Sequence, residues 1–174
     1  MTNKKKWLAV MMMAFIFGMT IVENLDAQAD NRLNGTWDVG SDRKVKGIEL
    51  TLNNGNYERS ISNNQFERGT YVANNGKITF RQTHIMYIDS KTTAEIGLES
   101  AKWYTINEFA TAMRNSYKKA GAPQEFLNDI LEPILEPNIS ALPQDYSIVG
   151  NSLIITYPVP GFEGEKYTLV YNRK

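Results

Sequence analysis

The side chains that most often carry catalysis are few in this chain and are not grouped. His84 is the single histidine and there is no cysteine, so a metal site built from several His or Cys ligands is not expected. One histidine without a Gly-x-Ser-x-Gly turn gives no sign of a serine hydrolase. We interpret His84 as a structural or surface residue and predict no metal and no cofactor.

Two pairs of carboxylates are the remaining catalytic candidates, because a glycosidase needs only two acids. Glu132 and Glu136 flank prolines at the end of a predicted helix, and Glu163 and Glu165 lie in a predicted loop. Acids in such places are usually solvated. The sequence therefore predicts no catalytic residue, and an enzyme that uses acids or tyrosines is the third of three hypotheses.

The N-terminal segment has the three-part layout of a secretory signal peptide. Three lysines at 4–6 precede an uncharged, mostly apolar run over 7–22, and Ala27-Gln28-Ala29 is a small-x-small cleavage site. The run is shorter than the roughly 20 residues of a membrane-spanning helix, which favours cleavage over a permanent anchor. We predict a signal peptide at 1–29 and a mature domain at 30–174 that is periplasmic or secreted.

The composition of the mature domain excludes several classes of partner. Residues 1–29 hold three of the 19 basic and two of the 19 acidic residues, which leaves 16 and 17. A nearly neutral chain has no electrostatic footprint for nucleic acid, and no basic run suggests an anionic membrane surface. The remaining 145 residues fit one domain that needs no disulfides. An exported chain without cysteine favours a bacterial source.

Period-2 alternation predicts most of the strands. Ile48, Leu50 and Leu52 alternate with polar residues, as in a strand with one buried face. Asn-Gly pairs at 54–55 and 75–76 predict tight hairpin turns. We predict five strands and then, after a helical segment, three more, over residues 33–39, 48–52, 57–61, 66–73, 78–83, 145–149, 152–157 and 166–171.

The period changes to that of a helix at Thr105. Thr105 and Glu108 match a capping box, and a second apolar stripe follows over 126–135, interrupted by Pro133. These features predict a two-helix insertion at about 105–136, between strands five and six. Residues 97–104 could form either a strand or an extended loop.

Eight short strands joined mostly by hairpins are enough to close a barrel. We therefore predict a mainly β fold, an eight-stranded antiparallel up-and-down barrel that carries the helical insertion. A β-sandwich with a helical insertion is the alternative.

Two sequence blocks carry a resemblance to a known family. Leu33-Asn-Gly35-Thr-Trp37 resembles the Gly-x-Trp motif that opens the first strand of lipocalins and related calycins, and 66–80 resembles the central hairpin of bacterial lipocalin-like domains. The resemblance implies that Trp37 packs across the base of the barrel beneath a basic residue of the last strand, for which Arg173 is suitably placed. The chain departs from the family in placing its helices before the sixth strand and in lacking cysteines.

The resemblance also implies a function, which is the binding of a small hydrophobic or amphipathic ligand in the barrel without enzymatic activity. Aromatic side chains from the strands either pack the core or line such a pocket. The candidates for lining are Tyr57, Phe66, Tyr71, Phe80, Trp103, Tyr157 and Tyr167. Over 66–71 polar residues alternate onto both faces, so this strand does not show which face is the interior. The second hypothesis is a non-enzymatic envelope or secreted interaction domain that uses the insertion and its apolar stripe.

Overall fold

The computed structural model describes residues 30–39, 48–128, 143–158 and 164–174. The predicted signal peptide and the acids Glu132, Glu136 and Glu163 lie outside these residues. The described parts are mainly β, and their strands are β1 Gly35–Asp38, β2 Glu49–Asn53, β3 Asn56–Ser62, β4 Gln65–Asn74, β5 Lys77–Tyr87, β6 Lys102–Thr105, β7 Gln144–Val149, β8 Ser152–Pro158 and β9 Lys166–Arg173.

Eight of these strands form one closed antiparallel barrel, which confirms the predicted fold. Strands β1 to β5 pair in sequence order, β5 also pairs with β7, and β9 returns to β1. The seams between β5 and β7 and between β1 and β9 each show two residue pairs. Closure leaves the barrel without free strand edges at these seams. Strand β6 lies outside the ring and pairs with the last four residues of β5.

Both predicted Asn-Gly hairpins are confirmed. Asn54 and Gly55 have φ of 46° and 80°, and Asn75 and Gly76 have φ of 50° and 73°, which suits the tight turn of a twisted hairpin. Because successive strands are antiparallel, these two turns and the turn between β7 and β8 lie at one end of the barrel. We call it the closed end. The turn between β3 and β4 and the insertion after β5 lie at the other, which we call the insertion end.

The closed end is sealed by apolar packing around Trp37. A 3-10 turn at Asn31–Leu33 precedes β1, and the indole Nε1 of Trp37 donates a hydrogen bond to the Leu33 carbonyl at 2.8 Å. Leu33, Trp37 and Leu153 have no exposed surface. Each such side chain contributes about 1.5–3 kcal/mol by its burial, so this end holds much of the stability of the barrel.

Gly69 marks a bulge between β4 and β5. Arg68 pairs with His84 whereas Gly69 pairs with Gln82, so Thr83 is the extra residue. A Cβ atom on Gly69 would lie 1.9 Å from the carbonyl oxygen of Arg81. The close approach of two backbones therefore requires glycine here, and a glycine inside a strand often marks such an approach.

The insertion between β5 and β7 begins earlier than the predicted residue 105. It begins with helix α1 at Ser90–Glu95, continues through β6, and then enters α2 at Ile106–Lys119 and a short α3 at Gln124–Phe126. Within α1 the Asp89 side chain accepts from the backbone of Thr92 as an N-cap, but six residues give too little periodicity to predict a helix. The predicted capping box of Thr105 and Glu108 is confirmed. In the described part of the chain no helix combines the length and the apolar character needed to cross a membrane.

Helix α2 packs against the insertion end of β5 and forms a second core. Phe109, Ala110 and Met113 of α2 are buried with Ile85 and Leu127. The ring of Phe109 stacks on Tyr87 with centroids 5.7 Å apart. The described part of the insertion thus packs against the barrel through an apolar face.

We expect Gly69→Ala to lower the free energy of unfolding by at least about 2 kcal/mol, because the new methyl group must push two paired strands apart. Urea unfolding followed by circular dichroism measures the change. Thr70→Ala, at the neighbouring exposed position, is the matched control and should change stability by less than about 0.5 kcal/mol. A Gly69→Ala protein as stable as this control would contradict the proposed backbone contact.

Candidate functional site

The inner face of the barrel carries an ionised pair among apolar neighbours. In the β-sheet register Leu50 lies opposite Arg59, Arg59 opposite Glu67, and Glu67 opposite Ile85. Residues that lie directly opposite share a face of the sheet. Because Leu50 belongs to the barrel core and Glu67 accepts a hydrogen bond from Tyr57 of that core, Arg59 and Glu67 also point into the barrel.

Arg59 and Glu67 form a buried ion pair. Arg59 Nε lies 2.5 Å from Glu67 Oε1, and the two side chains are 16% and 4% exposed. The hydroxyl of Tyr57 donates to the same carboxylate oxygen at 3.1 Å, and the guanidinium lies 5.2 Å from the centroid of the Phe80 ring. Burial is the largest influence on the pKa of Arg59 and lowers it, but the charge of Glu67 and the interactions with three tyrosines together outweigh burial, so the pKa is raised. Arg59 therefore stays charged inside the barrel.

Tyrosines surround this pair. The hydroxyls of Tyr157 and Tyr171 share a hydrogen bond at 3.1 Å, and the rings of Tyr157 and Tyr167 stack with centroids 5.1 Å apart. Burial raises the pKa of Tyr57, Tyr157 and Tyr171, and the charge of Glu67 raises that of Tyr57 further. The lining thus supplies neutral hydroxyl groups at neutral pH.

Three buried polar atoms of the inner face have no hydrogen-bond partner in the described structure. They are Arg59 Nε, Gln65 Nε2 and Gln144 Oε1. Arg59 Nε touches the carboxylate of Glu67 without the direction of a hydrogen bond. Gln65 is two residues from buried Glu67 and therefore lies on the same face of β4. Gln144 lies opposite Ile78, which is fully buried. Both glutamines therefore face inward. An unpaired buried polar group costs about 1–3 kcal/mol, which makes these atoms candidates for contacting a ligand.

Five of the seven predicted lining residues lie on the inner face. Tyr57, Tyr71, Phe80 and Tyr157 are buried, and Tyr57 meets Phe80 edge to face with centroids 4.9 Å apart. Tyr167, opposite Tyr157, is 46% exposed and lies at the rim of the insertion end.

The other two predicted lining residues lie on the outer face. Phe66 alternates with the buried Gln65 and Glu67. Trp103 is on β6, outside the ring, where the guanidinium of Arg68 lies 4.6 Å from the centroid of its ring. Phe66 lies on a strand as predicted, and Trp103 falls in a segment for which a strand and an extended loop were both left open. Aromatic character does not show which face of a strand is buried.

Arg59, Glu67, Gln65 and Gln144 were not among the predicted site residues. The only feature of the sequence that indicates their orientation is their spacing. Arg59 lies two residues from Tyr57, and Gln65 and Glu67 lie an even number of residues from Tyr71, so they fall on the same face as these buried tyrosines. Charged residues are rarely fully buried, so the pattern favoured a solvated position for Arg59 and Glu67.

Gly35, Trp37 and Arg173 meet at the closed end. The guanidinium of Arg173 lies 4.4 Å from the centroid of the Trp37 ring and donates to the Arg32 carbonyl. Gly35 has φ of +142° and its missing Cβ would lie 3.6 Å from Arg173 Nη1. This group joins the first and last strands and is structural.

The remaining candidates for chemistry are dispersed. His84 lies on β5, where its Nδ1 is 2.9 Å from the Thr83 hydroxyl. Glu165 is exposed, and its predicted partner Glu163 lies outside the described residues. Within the described ranges, no three or more His, Asp or Glu side chains come together as a metal site.

Two grooves lie on the outside of the described structure. One of about 630 Å³ separates α1 from α2 and is lined by residues such as Ile96, Asn107 and Thr111. The other, of about 340 Å³, lies over the bulge at Gly69 and includes His84. Comparison of the chain with protein-family models, with curated proteins and with solved structures finds no match.

We expect the Arg59–Glu67 pair to be strongly coupled in a double-mutant cycle. Arg59→Met and Glu67→Met should each cost about 3–5 kcal/mol, because each leaves one buried charge unpaired. The double variant should lose clearly less than the sum of the two. Urea unfolding of the four proteins gives the coupling energy.

The exposed pair Lys174–Glu49, whose side chains are 51% and 46% exposed, is the control for this cycle. Its coupling should stay within about 1 kcal/mol. Additive losses at Arg59 and Glu67 would show that the two charges do not interact inside the barrel.

Proposed function

We propose that this chain is an exported, lipocalin-like binding protein that takes up a small hydrophobic or amphipathic ligand at the insertion end of its barrel. The support is the closed eight-stranded barrel, the aromatic lining, and the polar inner face at this end. Ligand sites are typically concave, mostly apolar and supplied with a few placed polar groups.

The observation that carries the proposal is the pair of unpartnered glutamines. Gln65 is 2% and Gln144 is 9% exposed, and each leaves one side-chain atom without a partner in the described structure. Native proteins keep few such groups, and each needs an explanation. Gln65 lies opposite Tyr87 and Gln144 opposite Ile78, toward opposite ends of β5. A ligand with one polar group would therefore remove the cost at one of the two amides, as an acceptor for Gln65 or as a donor to Gln144.

The rim of the insertion end offers a place for the ligand to enter. Tyr167 is half exposed and stacks on Tyr157, so a rotation of Tyr167 opens the lining without disturbing the closed end. A ligand that buries roughly 300 Å² of apolar surface there would gain about 7 kcal/mol before the costs of association.

We expect Gln65→Leu and Gln144→Leu to increase the stability of the fold and to test which amide the ligand contacts. Each should raise the free energy of unfolding by about 1–2 kcal/mol, because an unpaired polar group is removed. The variant at the amide that the ligand hydroxyl contacts should also weaken binding of dodecanol roughly tenfold. Calorimetric titration and urea unfolding measure the two effects. Gln124→Leu, at an exposed position on α3, should change neither.

Two results would count against this site. Loss of stability in both leucine variants would show that the amides are satisfied by buried water and belong to the core. Unchanged dodecanol affinity would place any bound ligand elsewhere.

The alternative, an interaction domain using the insertion, gains no support from the described part of its apolar stripe. Leu127 is buried in the core formed with α2, and the ring of Phe126 packs on Tyr117 with centroids 5.2 Å apart. The stripe beyond residue 128 lies outside the described residues.

Export is the second part of the proposal, and its support is the sequence of residues 1–29. When the full chain is produced in a bacterium with a general secretion system, we expect a periplasmic or secreted product that begins at Asp30, as measured by intact mass and N-terminal sequencing. Ala27→Arg with Ala29→Arg should abolish processing, because the cleavage site requires small residues. Gln28→Arg is the control. It lies between the two alanines and leaves both small positions intact, so this variant should still be processed. A wild-type product that retains residues 1–29 would contradict this.

A further inference from the structure

We propose that the ligand carries an uncharged polar end, such as a hydroxyl or amide, and that the buried Arg59–Glu67 pair excludes ionised ligands of the same length. This inference rests on the proposed function and names the chemical class that the site selects.

The inner face at the insertion end is already electrically balanced. Among the described inward-facing residues away from Arg173 at the closed end, the ionised groups are Arg59 and Glu67, which are in contact at 2.5 Å. One positive and one negative charge leave no net charge for a ligand to neutralise. An incoming ion would therefore enter a buried region without a counter-charge of its own.

A carboxylate ligand meets an unfavourable arrangement here. Arg59 already faces Glu67, so a second anion would have to share the guanidinium and lie close to a like charge. A carboxylate that displaced Glu67 would leave that side chain, 4% exposed, as an unpaired buried charge. Either course costs several kcal/mol, and a cationic ligand meets the same difficulty at Arg59.

A neutral polar group finds both kinds of partner. The Nε2 of Gln65 is a free donor and the Oε1 of Gln144 a free acceptor within the described structure. The hydroxyls of Tyr157 and Tyr171 can each donate or accept. Gln65 and Gln144 lie toward opposite ends of β5, so one ligand group can reach one amide or the other. A hydroxyl or primary amide is both donor and acceptor, so it suits either amide or a tyrosine hydroxyl without disturbing the ion pair.

The test compares three probes of equal chain length on the wild-type protein: dodecanol, dodecanoate and dodecylammonium. Calorimetric titration at a pH where dodecanoate is ionised should show dodecanol binding at least about tenfold more tightly than either ion. Equal or tighter binding of dodecanoate would overturn the inference while leaving the proposed function standing. If none of the three binds, the proposed function itself fails.

A substitution that unbalances the pair should redirect this preference. Glu67→Gln keeps the shape and an acceptor for Tyr57 but leaves Arg59 without a counter-charge, so dodecanoate should gain at least about tenfold while dodecanol changes by less than about threefold. Arg59→Gln should favour dodecylammonium in the same way. Glu58→Gln, an exposed acid beside Arg59 on the same strand, is the control and should leave the order of affinities unchanged.

Each outcome decides the role of the pair. An unchanged preference in folded Glu67→Gln would show that the ion pair does not set selectivity and would overturn the inference. Folding is checked by circular dichroism. If Glu67→Gln does not fold, Arg59→Gln and the wild-type comparison of the three probes give the same decision.

Discussion

Closure of the barrel is the constraint on which the rest of the structure depends. An inner face exists only because β9 returns to β1 and β5 reaches β7, and each seam shows two residue pairs. Side chains reinforce both seams. Arg173 covers Trp37 at the first, while at the second Lys77 pairs with Asp145 outside and Ile78 is fully buried inside. A sheet that failed to close would expose the strand edges and hydrate the ion pair.

Local sequence patterns were sufficient to predict the strands and hairpins of the barrel because that information is local, whereas the two closing seams join residues far apart in the sequence. Alternation such as that of Leu50 and Leu52 identifies a strand with one buried face, and the Asn-Gly pairs fix the hairpin turns. Together they determine which strands are neighbours. The helix at Thr105 was also predictable, since its capping box involves residues three apart. By contrast, β6 and α1 are too short to show a period, and β6 depends on its pairing with β5.

The candidate site was much less predictable, because its residues contradict the usual link between charge and exposure. Over Phe66 to Tyr71 each face of the strand carries a charged residue, and only the register of the neighbouring strands shows that Glu67 points inward and Arg68 outward. The bulge at Gly69 also displaces the alternation of β5 relative to β4. The orphan amides of Gln65 and Gln144 depend on which side chains surround them, and no sequence pattern encodes that arrangement.

Stability and polarity are divided between the two ends of the barrel. Trp37, Leu33 and Leu153 at the closed end are fully buried and apolar or hydrogen-bonded. The rest of the inner face retains an ion pair and two unpaired amides, although apolar residues in such positions are often equally or more stable. Departures from a consistent core tend to mark functional or strained sites. The ion pair and both unpaired amides lie on the inner face of the barrel. Contact with the proposed ligand gives these groups a common explanation, which separate packing defects would not.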